Sequence, residues 1–202
     1  MNNKITLAGI VDGALEYSHE IYGEKFYKFM FSTERKSGTK DKVLCMAPEV
    51  ISNKIEYGNN ITIIGEVRNY NKHEEGKNHS IVYVFVKEVL PYDGKDRNEV
   101  EMNGFICKET IYRETPLGRN VCDFILAVNR MNYKSDYIPC IAWGRNALRA
   151  SIFNVGDNIK LTGRLQSREY TKKFDDGTDE VRTAYEVSSS SVVVVEKEES
   201  EE

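Results

Sequence analysis

Residues 159–170, IKLTGRLQSREY, alternate between apolar and polar side chains along the whole stretch. The apolar set is typical of a strand packed on a core and contains Ile159, Leu161, Gly163 and Leu165. The polar set suits a strand that lies under a phosphate backbone and offers a ring to a base; it contains Lys160, Thr162, Arg164, Gln166, Arg168 and Tyr170. A solvated antiparallel strand shows the same alternation, so this stretch alone leaves both interpretations open.

The same strand occurs a second time, at residues 61–72, ITIIGEVRNYNK. Gly65 of this copy matches Gly163 at an offset of 98 residues. A glycine inside a strand is costly unless the sheet bends there or another backbone comes close, as in a barrel wall. The repeated glycine therefore predicts either a bend of the strand or a close approach of another backbone at the same point of both copies.

The repeat extends upstream, because residues 25–47 align with residues 120–142 without a gap at an offset of 95. The chain is therefore two copies of one unit of about 100 residues, a size that can bury its own core. The residues matched at this offset are Gly9 with Gly104, Phe29 with Phe124, Arg35 with Arg130, Asp41 with Asp136, and Cys45 with Cys140.

Each copy has the same order of predicted elements. Three strands are followed by a short helix, at PEVISNKIEYG (48–58) or GRNALRASIFNVG (144–156), and by two further strands. Residues 17–24 are expected to form a variable loop. Five strands with a helix between the third and fourth is the order of the OB-fold, so the fold class is all-β, with two tandem five-stranded OB-fold barrels. The predicted boundaries are 1–90 for domain 1, 91–98 for a linker, 99–195 for domain 2 and 196–202 for an acidic tail.

The composition of the 202 residues is that of a globular protein with a net charge of −4, which the acidic tail accounts for. No run approaches the roughly 18 apolar residues of a membrane span, and MNNKITLAGIVDG lacks the apolar region of a signal peptide. We therefore expect a cytoplasmic protein. The cysteines form no CxxC pair, so no zinc or other metal is expected. They are interpreted as core thiols, although Cys107 and Cys122 could also be cross-strand neighbours.

Three segments of the second copy carry a family resemblance: GRNVCDFILAVNR (118–130), SDYIPCIAWGRNA (135–147) and GDNIKLTGRLQSREY (156–170), followed by RTAYEV (182–187). Residues 100–196 resemble the bacterial single-stranded DNA-binding protein family, and the first copy resembles it more weakly. The resemblance implies a protein that coats and protects single strands in replication, recombination or repair. It also implies stacking of bases on Tyr137, Trp143 and Tyr170, with a further family aromatic nearest to Tyr133.

Strand parity agrees with the resemblance. Ile138, Cys140 and Ala142 are expected to face inward, which places Tyr137 and Trp143 together on the outer face. Trp143 could instead pack over the following helix, and Tyr137 could be an ordinary exposed tyrosine. The predicted contacts to the phosphate backbone are Arg119, Arg130, Arg164, Arg168, Lys172 and Lys173, the last two in a hairpin loop that would clamp the strand.

The first copy holds different residues at the stacking positions. Lys42 replaces Tyr137, Pro48 replaces Trp143, and Lys72 replaces Tyr170. Domain 1 is therefore predicted to be an auxiliary or assembly barrel, with Arg68, Tyr70 and Lys72 as its secondary contacts. Arginine is also scarcer there, and arginine binds phosphate and stacks on bases better than lysine does.

An enzymatic function is not expected, because no histidine lies in the second copy and no nucleotide loop or nucleophile motif occurs. No cofactor is predicted. The family mostly assembles four barrels, so the resemblance implies a homodimer of two-barrel chains. The acidic tail lacks the terminal phenylalanine through which the family recruits replication and repair proteins. Two alternatives remain open at this stage: recognition of RNA, and a protein-interaction barrel in a replication or recombination complex.

Overall fold

The computed structural model describes residues 2–74, 77–131, 134–173 and 177–195. The chain forms two compact units, each built around one of the two sequence repeats. The N-terminal unit comprises Ile5–Asn98 and Leu165–Glu186; the C-terminal unit comprises Glu99–Arg164, Met1–Lys4 and Val187–Glu202.

In the part of the chain that the structure describes, strands dominate both repeats and each repeat has one short helix. The first repeat contains β1 (Asn3–Val11), β2 (Glu16–Ile21), β3 (Glu24–Glu34), β4 (Lys40–Pro48), α1 (Glu49–Ser52), β5 (Asn60–Glu74) and β6 (Lys77–Pro91). The second repeat contains β7 (Arg97–Ile106), β8 (Ile111–Glu114), β9 (Asn120–Asn129), β10 (Ser135–Trp143), α2 (Arg145–Ala150), β11 (Asn158–Lys173) and β12 (Asp179–Val194).

The pairings close each repeat into a five-stranded barrel. In the first, β1 pairs with β3 and β5, β3 with β4, and β5 with β6, and β4 runs parallel to β6. In the second, β7 pairs with β9 and β11, β9 with β10, and β11 with β12, and β10 runs parallel to β12. The helix lies between the third and fourth barrel strands in both, which is the order predicted from the sequence.

Alternate residues of the barrel strands fill the two cores. Leu7, Phe31 and Ile63 are fully buried in the first barrel, and Leu126 and Ile138 are fully buried in the second. Complete burial of each such side chain contributes about 1.5–3 kcal/mol. This apolar alternation explains why the strand positions could be read from the sequence.

The repeated glycines lie where two strands come too close for a side chain. A Cβ atom on Gly104 would lie 2.8 Å from the carbonyl oxygen of Ala127, and one on Gly163 would collide with the carbonyl of Ser188. Gly9 and Gly65 meet the backbones of β3 and β6 in the same way. The expectation that another backbone approaches the mid-strand glycines is therefore correct.

An additional edge strand flanks each barrel. Residues 17–24 were expected to be a loop, but β2 pairs with β3, with a bulge after Tyr17. Two cross-strand ring contacts accompany the pairing: His19 stacks on Phe26 with centroids 4.9 Å apart, and Tyr17 meets Tyr27 edge-on at 6.1 Å. In the second repeat, β8 pairs with β9 in the same position. The strand β2 was not predicted from the sequence because EYSHEI is short and has only two apolar residues, Tyr17 and Ile21, both of which are exposed.

The two helices are shorter than predicted. The expected ends at Gly58 and Gly156 lie beyond Ser52 and Ala150, where α1 and α2 end. Both glycines adopt positive φ, and each donates its N–H to the end of the first barrel strand, to Val11 and to Ile106 respectively. They therefore tie the post-helix turn to the barrel and do not cap the helix. Within the described ranges, neither helix has the length and apolarity needed to cross a membrane.

The four cysteines are free thiols. Cys45, Cys122 and Cys140 are buried, and burial raises the pKa of the Cys45 thiol. Cys107 donates its backbone N–H to Ile125, whereas Cys122 pairs with Ala142, so the two are not cross-strand neighbours. The interpretation as core thiols holds for the three buried cysteines.

Candidate nucleic-acid interface

The outer face of β10 exposes two large rings in the C-terminal unit. Tyr137 is 52% exposed and Trp143 is 39% exposed, whereas Ile138, Cys140 and Ala142 are buried on the inner face. Because the rings are six residues apart on one strand, about 20 Å separates their backbone positions along it. The parity argument for these two residues therefore agrees with the structure.

Local backbone geometry explains where the rings are presented. Trp143 is the last residue of β10 and pairs with Val121 on β9. Gly144 follows with φ 56° and donates its N–H to Asn120, so the chain turns sharply into α2. Ile141 belongs to the outer set by parity but is only 4% exposed. The exposed aromatic surface of β10 is therefore confined to its two ends.

The polar residues of β11 differ in burial: Gln166 is buried, whereas Arg168 and Tyr170 are exposed. Gln166 is 8% exposed, and its Nε2 donates to Oε1 of Glu186 at 2.9 Å. Arg168 is exposed, with Nε 3.9 Å from the same Glu186 oxygen and its guanidinium carbon 5.9 Å from the centre of the Tyr170 ring. Tyr170 is 38% exposed. Arg168 and Tyr170 thus form an exposed cation and ring pair on the distal part of β11, in the N-terminal unit.

Sequence reasoning missed the part played by Glu186. This carboxylate on β12 accepts from Gln166 and faces Arg168 across the hairpin. The only signal available was its place in RTAYEV, and nothing in that stretch gives the cross-strand register. Gln166 therefore holds Glu186 in place and is closed to solvent, although the alternation put it on the outer face.

The predicted phosphate contacts differ in their surroundings. Arg119 is exposed in the β8–β9 turn, where its backbone N–H donates to Oγ1 of Thr115 at 3.1 Å. Arg130 donates to both carboxylate oxygens of Asp136, with Nε 2.6 Å from Oδ2. Arg164 is partly buried. Tyr133 and the side chains of Lys172 and Lys173 lie outside the described residues.

In the N-terminal unit, the secondary contacts lie on an outer face with its own aromatic set. Arg68 donates from Nε and Nη2 to Glu66, and its guanidinium lies 3.8 Å from the centre of the Phe85 ring. Tyr70 is 38% exposed and meets Tyr83 edge-on at 5.6 Å. Lys72 is exposed.

The same face carries a buried apolar cluster and a charge network. Phe26, Met46 and Tyr83 form the cluster, and Leu44 and Phe85 pack against it. Burial by itself raises the pKa of Glu66, but hydrogen bonds from Lys87 and Arg68 outweigh it, so that pKa lies below its ordinary value of 4.5. Arg68, Tyr70 and Lys72 on this face were named from the sequence, but the apolar cluster and the charge network around Glu66 were not identified.

Among the described residues, no group of three or more histidine, cysteine, aspartate or glutamate side chains is placed to hold a metal ion.

Comparison with known proteins finds a family that matches the second repeat. Residues 97–195 match the model of the single-strand binding protein family. Single-stranded DNA-binding protein 2 of Listeria innocua is 35% identical over 80 residues, which is 36% of this chain and 50% of that protein. Single-stranded DNA-binding protein A of Bacillus subtilis is 36% identical over 80 residues, which is 36% of this chain and 46% of that protein. The chain thus spans about half the length of the curated relatives it matches.

Solved structures extend the likeness to the whole chain. The wild-type single-stranded DNA binding protein from Thermus aquaticus matches with a TM-score of 0.78 and 19% identity, over 99% of this chain and 96% of that chain. A deletion mutant of the same protein matches with a TM-score of 0.76 and 20% identity, over 99% and 98% of the two chains. This likeness confirms the predicted fold of two tandem OB-fold barrels.

The fold and the match together define the class as a tandem OB-fold protein with an exposed ring surface on its second barrel. Through residues 97–195, the chain is similar to the single-strand binding protein family. The family resemblance stated from the sequence is therefore confirmed.

Proposed function

We propose that this protein binds single-stranded DNA with little sequence specificity, and that it coats and protects single strands during replication, recombination or repair. The observation that carries the proposal is the pair of exposed rings, Tyr137 and Trp143, on one outer face of the barrel that matches the family. Every base has a π-face, so rings of this kind bind bases without reading their identity, at about 1–3 kcal/mol per stacked base.

The outer face of β10 is the main contact surface. Arg168 and Tyr170 on the distal part of β11 form a second contact surface, where the guanidinium reaches phosphate and the ring takes a base. Arg119, Lys172 and Lys173 supply further phosphate contacts. Arg130 acts mainly by holding Asp136, and Tyr133 and Arg164 are further contacts to the strand.

The N-terminal barrel has an auxiliary function. The side chain of its Arg68 is 19% exposed, against 58% for Arg168, and its Tyr70 is 38% exposed, against 52% for Tyr137. The N-terminal groups are therefore less accessible to a nucleic acid. Lys72 adds a weak phosphate contact. The active assembly is a homodimer with four barrels, located in the cytoplasm at the nucleoid, and it has no catalytic activity.

Tryptophan fluorescence tests the proposal directly, because Trp143 is the only tryptophan. The protein is titrated with oligo(dT), with duplex DNA and with poly(U), at low and at high salt. Strong quenching by oligo(dT) that weakens with salt is expected, with weaker responses to the duplex and to poly(U). Tyr137→Ala should weaken binding, and the matched control Tyr57→Ala, which removes an exposed tyrosine of the N-terminal unit, should not.

Two outcomes contradict the proposal. Equal or tighter binding of poly(U) supports the RNA alternative, and no binding of any nucleic acid supports a protein-interaction barrel. Binding that is detected by anisotropy with unchanged tryptophan emission leaves the function standing but removes Trp143 from the site.

A further inference from the structure

The side chain of Asn98 binds the backbone of Leu165 as a neighbouring strand would. Its Nδ2 donates to the carbonyl oxygen of Leu165 at 2.7 Å, and its Oδ1 accepts the N–H of Leu165 at 2.9 Å. The backbone pairing of β7 with β11 extends as far as Val100 opposite Gly163. Asn98 therefore extends that pairing by two residues through its side chain.

The position of this contact gives it a specific consequence. Leu165 is fully buried and is the first residue of the hairpin segment that belongs to the N-terminal unit. Arg168 and Tyr170 follow three and five residues later on the same strand. A contact that fixes the backbone of Leu165 therefore also orients the strand that presents Arg168 and Tyr170.

Other contacts within the N-terminal unit hold the same segment. The backbone N–H of Lys42, on β4, donates to Oγ of Ser167 at 3.3 Å. Tyr185, on the opposite arm of the hairpin, is half-buried; burial raises the pKa of its hydroxyl, and Cys45 of β4 raises it further. The segment therefore belongs to the N-terminal unit, is held to β4 through Ser167 and is tied at its start by Asn98.

We infer that Asn98 is a positioning residue for single-strand binding: by holding the backbone of Leu165 it sets the course of the distal β11 strand that presents Arg168 and Tyr170. The inference rests on the proposed function for its effect on DNA. It also gives the N-terminal unit a defined contribution, because that unit holds a binding segment without itself providing the main stacking rings. The equivalent position of the first sequence repeat also holds an asparagine, Asn3, which is buried.

Hydrogen exchange of the whole chain without DNA tests whether Asn98 orders the distal part of β11. Asn98→Ala removes both hydrogen bonds, and Asn98→Asp keeps the shape and the acceptor but loses the donor to the Leu165 carbonyl. Exchange of the amides at 166–171 should quicken about tenfold in Asn98→Ala and less in Asn98→Asp, with 159–163 unchanged. The control is Asn59→Ala, which removes an exposed asparagine whose Nδ2 donates to Glu56. Unchanged exchange at 166–171 overturns the inference.

Affinity for oligo(dT) tests whether Asn98 contributes to single-strand binding. Asn98→Ala should weaken binding about 5- to 20-fold, and Asn59→Ala should leave it unchanged. A purely structural effect would leave the cost of other substitutions as it was. We expect Tyr170→Ala to cost much less in the Asn98→Ala background, whereas Tyr137→Ala costs the same in both. Additive costs of Asn98→Ala and Tyr170→Ala overturn the positioning role.

Failure of the inference and failure of the proposed function are distinguishable. If the unchanged protein binds no oligo(dT), the proposed function fails and with it any role of Asn98 in binding, while the exchange data still decide whether Asn98 orders the hairpin. If it binds and Asn98→Ala binds equally well, the function stands and Asn98 is not a positioning residue.

Discussion

Arg130 donates hydrogen bonds to both carboxylate oxygens of Asp136, whose side chain is 1% exposed. Arg35 and Asp41 form the same bidentate pair in the first barrel, where Nε lies 2.7 Å from Oδ2 and Asp41 is fully buried. Both pairs join the ends of the hairpin between the second and third barrel strands. The arginine and aspartate that match between the two repeats therefore form the same ion pair within each repeat.

Loss of Arg130 should destabilise the C-terminal barrel, because it leaves a buried carboxylate without its cation. We expect Arg130→Ala to lower the free energy of unfolding by about 3 kcal/mol, as measured by urea denaturation. The control is Arg113→Ala, which removes an exposed pair with Asp123 and should cost less than about 1 kcal/mol. Equal effects of the two substitutions would show that burial of Asp136 has no energetic consequence.

Gly163, which lies against the backbone of Ser188, provides a second test of the fold. Gly163→Ala places a methyl group against the carbonyl of Ser188, so β11 or β12 must move, and we expect a loss of about 3 kcal/mol in the free energy of unfolding. Gly13 is a matched control, because an added Cβ there would lie 3.4 Å from the nearest atom, the backbone nitrogen of Met30. Thermal melts of the two variants should differ clearly; a Gly163→Ala protein as stable as Gly13→Ala would contradict the close approach.

The internal repeat explains why so much of the fold could be predicted. Gly65 and Gly163 were recognised because two copies keep the same residue where only a glycine fits. The strands of the two cores were recognised because they alternate, and the outer position of Tyr137 and Trp143 followed from the inward position of Ile138, Cys140 and Ala142. These features are local and periodic, so the sequence carries them directly.

Features that depend on pairing between distant segments were not predicted. The strand β2 pairs with β3, and its His19 stacks on Phe26 of that strand. Gln166 is buried and donates a hydrogen bond to Glu186, which lies twenty residues away in the sequence. Alternation shows which face a residue occupies, but the register and the partner decide whether that position is open to solvent.

Salt dependence should report the phosphate contact of Arg168. Binding of oligo(dT) releases counterions, with a log–log slope of about −0.7 per neutralised phosphate on a single strand. We expect Arg168→Ala to make the measured slope less steep by about 0.7. Arg113→Ala, which removes an exposed arginine paired with Asp123, should leave the slope as it is. An unchanged slope for Arg168→Ala would remove this residue from the contact surface.

Acid should weaken the N-terminal unit through Glu66. Its folded pKa lies below the ordinary value of 4.5, so the ionised form contributes stability above the unfolded pKa, and that contribution is lost as the pH falls through the folded pKa. Glu66→Gln should therefore cost about 1 kcal/mol at pH 7 and nothing once both states are protonated. Urea denaturation at a series of pH values measures the difference. A cost that persists unchanged at the lowest pH would show that the effect of Glu66 is not one of charge.

A pair of tyrosines at comparable exposure tests the division of function between the barrels. Tyr137 projects from β10 and is 52% exposed, whereas Tyr70 is 38% exposed and packs edge-on against Tyr83. If bases stack mainly on the second barrel, Tyr137→Ala should weaken oligo(dT) binding by 1–3 kcal/mol, or about 5- to 150-fold. Tyr70→Ala should weaken it less than about twofold, as should Lys72→Ala, since a single exposed lysine contributes only a screened charge. Circular dichroism of each variant provides the folding control. Equal losses of affinity for Tyr70→Ala and Tyr137→Ala would mean that both barrels bind the strand and that the first is not auxiliary.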